Sequence, residues 1–439
     1  MSEGALGRRE GTLADELRDE GDARRRTPSL VDRLALRVML AAASRIRFGQ
    51  LLVTLPDGSR HAFGDAATGP TAELAVHQPE AARRILLGGD LGAGEAYMDG
   101  LWSSPDLPSL ATLASINREG LGLTRGWWRI PAKVVKTVAH RLRRNTVAQA
   151  RRNIAAHYDL GNELYRLFLD ETMTYSSAVF ATPDQSLADA QRNKYRTMAE
   201  RAGLTPGQHV LEIGTGWGGF ALYAAGELGC RVTTATISKA QHELATERVR
   251  AAGLEDRVTV LLRDYRELEG QYDAIVSIEM FEAVGAEYFA TFFEACDRAL
   301  KPGGRLSMQT IAFPDVSYGP QVRGANWIQT YIFPGGLLPS LSAIERSLHG
   351  TRFLVRDVRD IAPDYVRTLA TWRRNFLARL DDVRAMGFDE RFIRMWDYYL
   401  SISEAGFDTG VCQDLQIVLE KGRGLAARPV APASAHSAS

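Results

Sequence analysis

The sequence predicts an α/β protein: a doubly wound, Rossmann-like sheet of mostly parallel strands, preceded by a small N-terminal α+β domain. Three observations carry this. From about residue 186, amphipathic helices alternate with short apolar runs, the rhythm of a parallel sheet covered on both faces. A glycine-rich turn, Glu212-Ile-Gly-Thr-Gly-Trp-Gly-Gly, stands between one such run and the next helix, where a doubly wound sheet holds its ligand. And 439 residues exceed what one core organises, so the differently patterned stretch before residue 119 reads as its own domain.

In order along the chain, residues 1–28 are polar and rich in Gly and Arg, and are expected to be disordered. They contain no apolar h-region and so do not read as a signal peptide. Residues 29–46 have helical periodicity, with Leu30, Val31, Leu34, Leu36 and Val38 near one face. "FGQLLVTLPDGSRHAFG" alternates, pauses at Pro-Asp-Gly and resumes, the pattern of a β-hairpin. With the strand and glycine-punctuated helices that follow, 29–118 forms the small domain. Residues 119–156 form a basic linker. Over 120–158 there are nine Arg and Lys and no Asp or Glu, interleaved with Trp127, Trp128, Ile130, Val134, Val135 and Val138. Such a segment either docks on an anionic membrane surface or is a solvated helix packing its Trp pair on a domain.

The large domain runs from 157 to 424, and 425–439 is expected to be a disordered tail. Its helix "SLADAQRNKYRTMAERAGL" precedes the strand "HVLEIGTG" and the helix "GGFALYAAGELG". Then come the strand "CRVTTATIS", the helix "KAQHELATERVRAAGL" and the strands "RVTVLLRD" and "YDAIVSIEM". The helix "EYFATFFEACDRALKPGG" and the strand "RLSMQTIAF" complete the series.

Lys+Arg and Asp+Glu both total 53, so global charge argues neither for nor against nucleic acid, and no nucleic-acid partner is expected. Cys230, Cys296 and Cys412 are too few and too scattered for a disulfide framework or a zinc site, which fits a reducing cytoplasm. No metal is expected. No run of 18 apolar residues occurs, so contact with lipid would be peripheral, on the inner face of the membrane.

The ends of the predicted strands carry the chemistry. Gly214, Gly216 and Gly218 allow a tight turn and close approach of backbone to a ligand, with Glu212 just before. That arrangement is typical of S-adenosylmethionine-dependent methyltransferases of class I. A nicotinamide dinucleotide enzyme would show GxGxxG and an acid ending the second strand, whereas that strand ends in Thr236, Ile237, Ser238 and Gln241. These groups suit a ribose or an amino-acid carboxylate. Asp264-Tyr265 ends the third strand, either as an adenine-binding acid beside a ring or as an ordinary surface turn. Trp217 covers the cofactor or packs on the sheet, and His157 is a ligand or a core residue. "IVSIEMFEAVG" places Glu279 and Glu282 at the end of an apolar strand, where an unpartnered carboxylate is costly.

Three stretches, "HYDLGNELYRLFLDETMTYSSAVF", "LEIGTGWGGFALYAA" and "YIFPGGLLPS", together with "SIEMFEAVG", closely resemble the cyclopropane-fatty-acyl-phospholipid synthases. The resemblance runs from roughly Arg47 to Lys421. It implies methyl transfer from S-adenosylmethionine to a cis double bond of a phospholipid acyl chain. It also implies membrane association and possible homodimerisation through the N-terminal unit and linker. Tyr175 and Ser176 match cofactor contacts. Bicarbonate is the implied base, held by Ser177, Glu282, Gln309, Ile311 and Tyr365, and Glu279 is implied on the cofactor side or as a helix cap. Glu282, Tyr365, Gln309 and Ser403 are the catalytic candidates.

The sequence departs from the best-studied pattern. Ser177 and Ser403 stand where cysteines often occur, Ala283 replaces a histidine, and Gln309 replaces the histidine of the bicarbonate site. No thiol is therefore needed. The departures leave the fate of the carbocation open: proton loss from the new methyl group closes a ring, while a hydride shift followed by proton loss gives a methylene-branched chain. A small-molecule C-methyltransferase and a non-catalytic lipid-binding module are the rival readings.

Overall fold

The computed structural model describes residues 29–121, 160–322 and 326–424, which form two compact units. The expected disordered ends, the basic linker beyond residue 121 and His157 lie outside the described residues. Among the described residues no helix is long and apolar enough to cross a membrane.

The first unit contains a four-stranded sheet of β1 (Gly49–Thr54), β2 (Arg60–Asp65), β3 (Thr71–Val76) and β4 (Trp102–Ser103), in the order β2-β1-β3-β4. The hairpin read from Pro-Asp-Gly is there: β1 and β2 pair antiparallel, and Gly58 turns the chain at φ 82°. The helices Glu80–Met98 and Leu107–Ile116 pack on this sheet, and the helix Glu390–Asp408 packs on both of them. Their core holds a buried polar junction. Tyr97 donates to Asp397 Oδ2 at 2.6 Å, and Arg373 Nε donates to Asp397 Oδ1 at 2.7 Å. Trp327 lies edge-on to Tyr398 at 4.8 Å and is 1 % exposed, so it is a core residue.

Two features differ from the sequence reading. Residues 326–332 and 366–411 belong to this unit, although the sequence groups them with the large domain. The aromatic and ionic contacts just described hold them there. The apolar residues of the helix Leu30–Ala43 also face outward, with Leu30, Val31, Leu34 and Val38 exposed. Its small residues Ala35 and Ala43 are buried instead, and Asp32 is tied to Arg83 at 2.7 Å.

The second unit is a seven-stranded sheet in the order β7-β6-β5-β8-β9-β11-β10. Its strands are β5 (His209–Ile213), β6 (Arg231–Thr236), β7 (Val258–Leu262), β8 (Tyr272–Ile278), β9 (Leu300–Ala312), β10 (Phe353–Asp360) and β11 (Gln413–Lys421). The five strands read from sequence are β5 to β9, and they run parallel. β11 runs antiparallel to both β9 and β10. One apolar core lies around Ile275, Phe292, Phe293 and Leu306, and another around Met198, Phe220 and Val232. The helix Leu187–Ala202 opens on a Ser186 cap, ends at Gly203 in the left-handed region, and packs on β8 and β9. The connections β5-helix-β6 and β8-helix-β9 leave the carboxyl ends of β5 and β8 side by side, and the glycine turn and the two glutamates follow directly from them.

Candidate active site

At the end of β5 the glycine turn is built as the spacing predicts. Gly214, Gly216 and Gly218 all have positive φ, of 100°, 51° and 88°. The Gly214 N–H donates to Ala235 O at 3.0 Å, and Gly218 caps the helix Gly219–Gly226. A Cβ on Gly214 would come within 2.9 Å of Met280 Cβ, so this glycine serves packing against the β8 turn. A Cβ on Gly216 would meet nothing within 4 Å, so its face is open to a ligand. Glu212 is 3 % exposed and accepts from Thr234 Oγ1 at 2.5 Å. Burial pushes its carboxyl up to about 8, against the lowering effect of that hydrogen bond.

The turn after β6 is satisfied within itself. Thr236 Oγ1 donates to Gln241 Oε1 at 2.8 Å, Ser238 Oγ caps the helix Lys239–Ala251, and Ile237 is half-buried. Tyr175 packs on Tyr165 and Phe168, and Ser176 Oγ accepts from Lys194 Nζ at 2.5 Å. Trp217 is buried on Tyr165 and donates to Asn162 Oδ1 at 2.8 Å, which makes it a packing residue.

The Asp264-Tyr265 corner, the expected adenine site, is held by its own neighbours. Asp264 accepts from Arg266 through both oxygens, at 2.8 Å each, and Tyr265 turns into the core edge-on to Phe292 at 5.4 Å. Burial therefore raises the Tyr265 phenol.

At the end of β8 the carboxylates are the organising feature. Glu279 is a non-glycine residue at φ 47°, in the left-handed region, held by its N–H donating to Gln309 O at 2.8 Å. Three donors converge on its carboxylate. The Ser177 N–H and Gln309 Nε2 each reach Oε1 at 2.8 Å, and the Tyr365 hydroxyl reaches Oε2 at 2.7 Å. Asp414 lies next to this cluster, with Oδ2 3.1 Å from Gln309 Nε2 and Oδ1 buried without a partner among the described residues. Its carboxyl is fully buried, and that burial and repulsion from Glu279 and Glu282 push it well up. Gln309 is held by its neighbours, with Nε2 also 3.1 Å from Asp414 Oδ2 and Oε1 accepting from Gln416 Nε2 at 3.0 Å.

Glu282 has a different shell. Its Oε1 accepts from the Ile311 N–H and from Thr310 Oγ1, the latter at 3.0 Å. Oε2 is buried and has no partner among the described residues. Burial, then the neighbouring Glu279, pushes Glu282 up to about 8. Burial likewise raises Glu279, against Lys194 and the Tyr365 hydrogen bond, which lower it. Lys194, fully buried, falls to about 8 by loss of hydration, with Glu279 and Asp414 opposing that fall.

Ser177, Gln309 and Tyr365, expected to share one anion shell with Glu282, thus gather at Glu279. Only Ile311 of that set serves Glu282. Glu279 is accordingly not a helix cap, since its carboxylate is held by side chains and one N–H from three other segments. Ser403 lies half-buried on the helix Glu390–Asp408 of the first unit. Lys194, Asp414, Gln416 and Thr310 were missed. A lysine on the apolar stripe of Ala190, Tyr195 and Met198 was one available signal. Asp414 and Gln416, two apart in a strand, were another.

This geometry has relatives. The family model described as mycolic acid cyclopropane synthetase matches residues 145–417. The chain is 42 % identical over 387 residues to the tuberculostearic acid methyltransferase UfaA1 of Mycobacterium tuberculosis, covering 84 % of this chain and 90 % of that one. It is 38 % identical over 357 residues to the cyclopropane-fatty-acyl-phospholipid synthase of Escherichia coli strain K12, covering 80 % of this chain and 88 % of the other. Among solved structures it resembles the mycolic acid cyclopropane synthase CmaA1 complexed with SAH and CTAB. That likeness has a TM-score of 0.58 and 30 % identity, and covers 62 % of this chain and 98 % of that one.

The Glu212 environment generates a stability test. Folded, the carboxyl stays neutral up to about 8, whereas an unfolded one ionises near 4.5. The unfolded state therefore binds fewer protons between those values, and this residue's contribution is lost as pH rises through them. Without ligand, Glu212→Gln should gain melting temperature relative to the parent between pH 5.5 and pH 8.5. A gap that stays constant with pH would mean that Glu212 is ionised in the folded protein.

Proposed function

This chain belongs to the mycolic acid cyclopropane synthetase family, and from that premise we propose how its second unit performs the family's chemistry and where. The protein is an S-adenosylmethionine-dependent C-methyltransferase of the cyclopropane synthase type. It adds a one-carbon unit to the cis double bond of unsaturated acyl chains in phospholipids, forming a cyclopropane ring. The observation that supports the site is the adjacency of β5 and β8, which puts the open face of Gly216 and the buried carboxylates on one edge of the sheet.

S-adenosylmethionine supplies an electrophilic methyl group there. The chain's part is to bind and orient it through the glycine turn, Glu212, Tyr175, Ser176 and the groups after β6. Asp264, whose carboxylate Arg266 holds in place, is the group assigned to an adenine amino group. The alkene is a weak nucleophile, and its attack leaves a cation on the neighbouring carbon. Glu282 lies beside that carbon in this reading, with its unpartnered oxygen toward the developing charge. The expected bicarbonate would serve as the proton acceptor, but three of its expected protein donors already bind Glu279.

A second product is favoured by one observation: the relative at 42 % identity is named a tuberculostearic acid methyltransferase. A hydride shift before proton loss would give a methylene-branched chain from the same cation. Both products gain one CH2 over the substrate, and proton NMR of the fatty-acid methyl esters separates ring methylene from vinylidene protons. Purified protein with dioleoyl phosphatidylglycerol vesicles and S-adenosylmethionine is expected to yield the ring. No one-carbon adduct of any kind would refute the functional reading.

For the cofactor, Gly216→Asn is diagnostic, because asparagine tolerates the left-handed backbone while its side chain enters the open space. Melting temperature should change little and S-adenosylmethionine affinity should fall about tenfold or more. Unchanged affinity by calorimetry would remove the glycine turn from the site.

For Glu282, parent turnover should rise with pH as the carboxyl ionises through about 8. Glu282→Gln should lack that rise. It should run about a hundredfold below the parent at pH 9, within the span of positioned charge and proton-transfer effects, with the gap narrowing toward pH 6.5. Equal profiles would make the residue structural.

We further propose that the protein meets its lipid at the membrane surface through the basic, Trp-bearing stretch 120–158. Sedimentation with phosphatidylglycerol vesicles should weaken with salt and with joint replacement of Arg141, Arg143 and Arg144 by Gln. Salt-independent binding, equal on neutral vesicles, would rule this out.

A further inference from the structure

We infer that Glu279 is the resident general base of the reaction, a protein carboxylate seated where an exogenous anion would otherwise be needed. This rests on the functional reading above and assigns the one step that reading leaves without a group.

The backbone N–H of Ser177, the side-chain amide of Gln309 and the hydroxyl of Tyr365 come from three separate elements and converge on one carboxylate. Convergence of that kind is an anion receptor, and here its anion is covalently part of the chain. The backbone confirms that the placement is held by force. Glu279 sits in the left-handed region, which costs a non-glycine residue energy that only strong side-chain contacts offset.

Proton placement supports the role. Burial and the neighbouring charge of Glu279 push both Asp414 and Glu282 up, whereas three donors and the Lys194 charge favour the ionised form of Glu279. Its carboxyl is nonetheless raised by burial, which makes it a better proton acceptor than a solvated glutamate.

The step balances as follows. The alkene π pair forms a bond to the sulfonium methyl carbon while the C–S pair stays on sulfur, leaving a neutral thioether and a cation on the second alkene carbon. A C–H pair of the new methyl group then forms the third ring bond to that carbon. The proton freed passes to a carboxylate oxygen of Glu279, giving a neutral acid that returns it to solvent before the next turnover.

The test measures turnover on dioleoyl phosphatidylglycerol vesicles in buffer purged of carbon dioxide, with and without added bicarbonate. The parent should turn over equally, within twofold, in both. Glu279→Gly fits the left-handed backbone and leaves the donors in place. It should lose a hundredfold or more without bicarbonate and recover at least tenfold with millimolar bicarbonate. Glu279→Gln keeps the shape and should lose as much with no recovery, while its S-adenosylmethionine affinity stays within threefold of the parent.

An active parent that stops when bicarbonate is removed would overturn the assignment and leave the functional reading intact. A Glu279→Gln variant with turnover near the parent's would also overturn it. A parent that makes no adduct under any condition would overturn the functional reading, and the base assignment with it.

Discussion

The constraint on which this site depends is the cost of holding carboxylates at the end of a buried strand. Glu279, Glu282 and Asp414 crowd into a volume whose fixed cation is Lys194, itself stripped of water. An uncompensated buried carboxylate costs several kcal/mol, roughly, even after relaxation. The surrounding structure is arranged to reduce that cost. β9 supplies Gln309, Thr310 and the Ile311 N–H, the segment before the helix Leu187–Ala202 supplies the Ser177 N–H, and the first turn of the helix Ala362–Leu377 supplies Tyr365.

The sheet's one antiparallel strand explains why these groups coincide. β11 lies beside β9 with Gln416 directly opposite Gln309, and Asp414 two residues away on the same face. Gln309 thereby acquires fixed neighbours at both ends of its amide, which sets the orientation of the N–H it offers to Glu279. A parallel strand at this place would need a crossover and would present a different register. The glycine turn follows the strand β5, which neighbours β8. There Met280 fills the space that a side chain at Gly214 would take, so the two halves of the site are packed against each other through backbone contact.

Much of this was legible in the sequence, and for physical reasons. Parallel strands β5 to β9 are short apolar runs bounded by glycine and charged residues, and their helices are amphipathic, so both periods show. The glycine turn was legible because left-handed backbone restricts the residue type. β10 was not, because all but its first residue are exposed and half are charged, and β11 was not, because polar residues stand at both its ends and Gln416 interrupts its short apolar run. The outward face of the helix Leu30–Ala43 escaped because periodicity reports that a stripe exists, not which side is covered. At the site the residue list was largely legible and its pairing was not. Tyr365, Gln309 and Ser177 were each placed near a carboxylate, but a sequence cannot choose between Glu279 and Glu282, which are one turn apart. That choice is made by the backbone at Glu279, whose positive φ throws its side chain toward the donors.

The two glutamates consequently divide the work that one carboxylate would otherwise carry. Glu279 receives three donors and keeps room on Oε2 for a proton, while Glu282 is fed by one edge and keeps an oxygen without a partner among the described residues. Environments that differ this way push paired groups toward different protonation states, which is how acid, base and charge-stabilising roles are told apart. Repulsion enforces the split, since the charge on Glu279 is among the causes that keep Glu282 and Asp414 protonated. A cation arriving between them would reverse that balance at Glu282 first, because its unpartnered oxygen has the most to gain from a positive neighbour. The site is therefore fixed in geometry and poised in charge, and the fixed part is what lets a small change in charge be felt at one chosen atom.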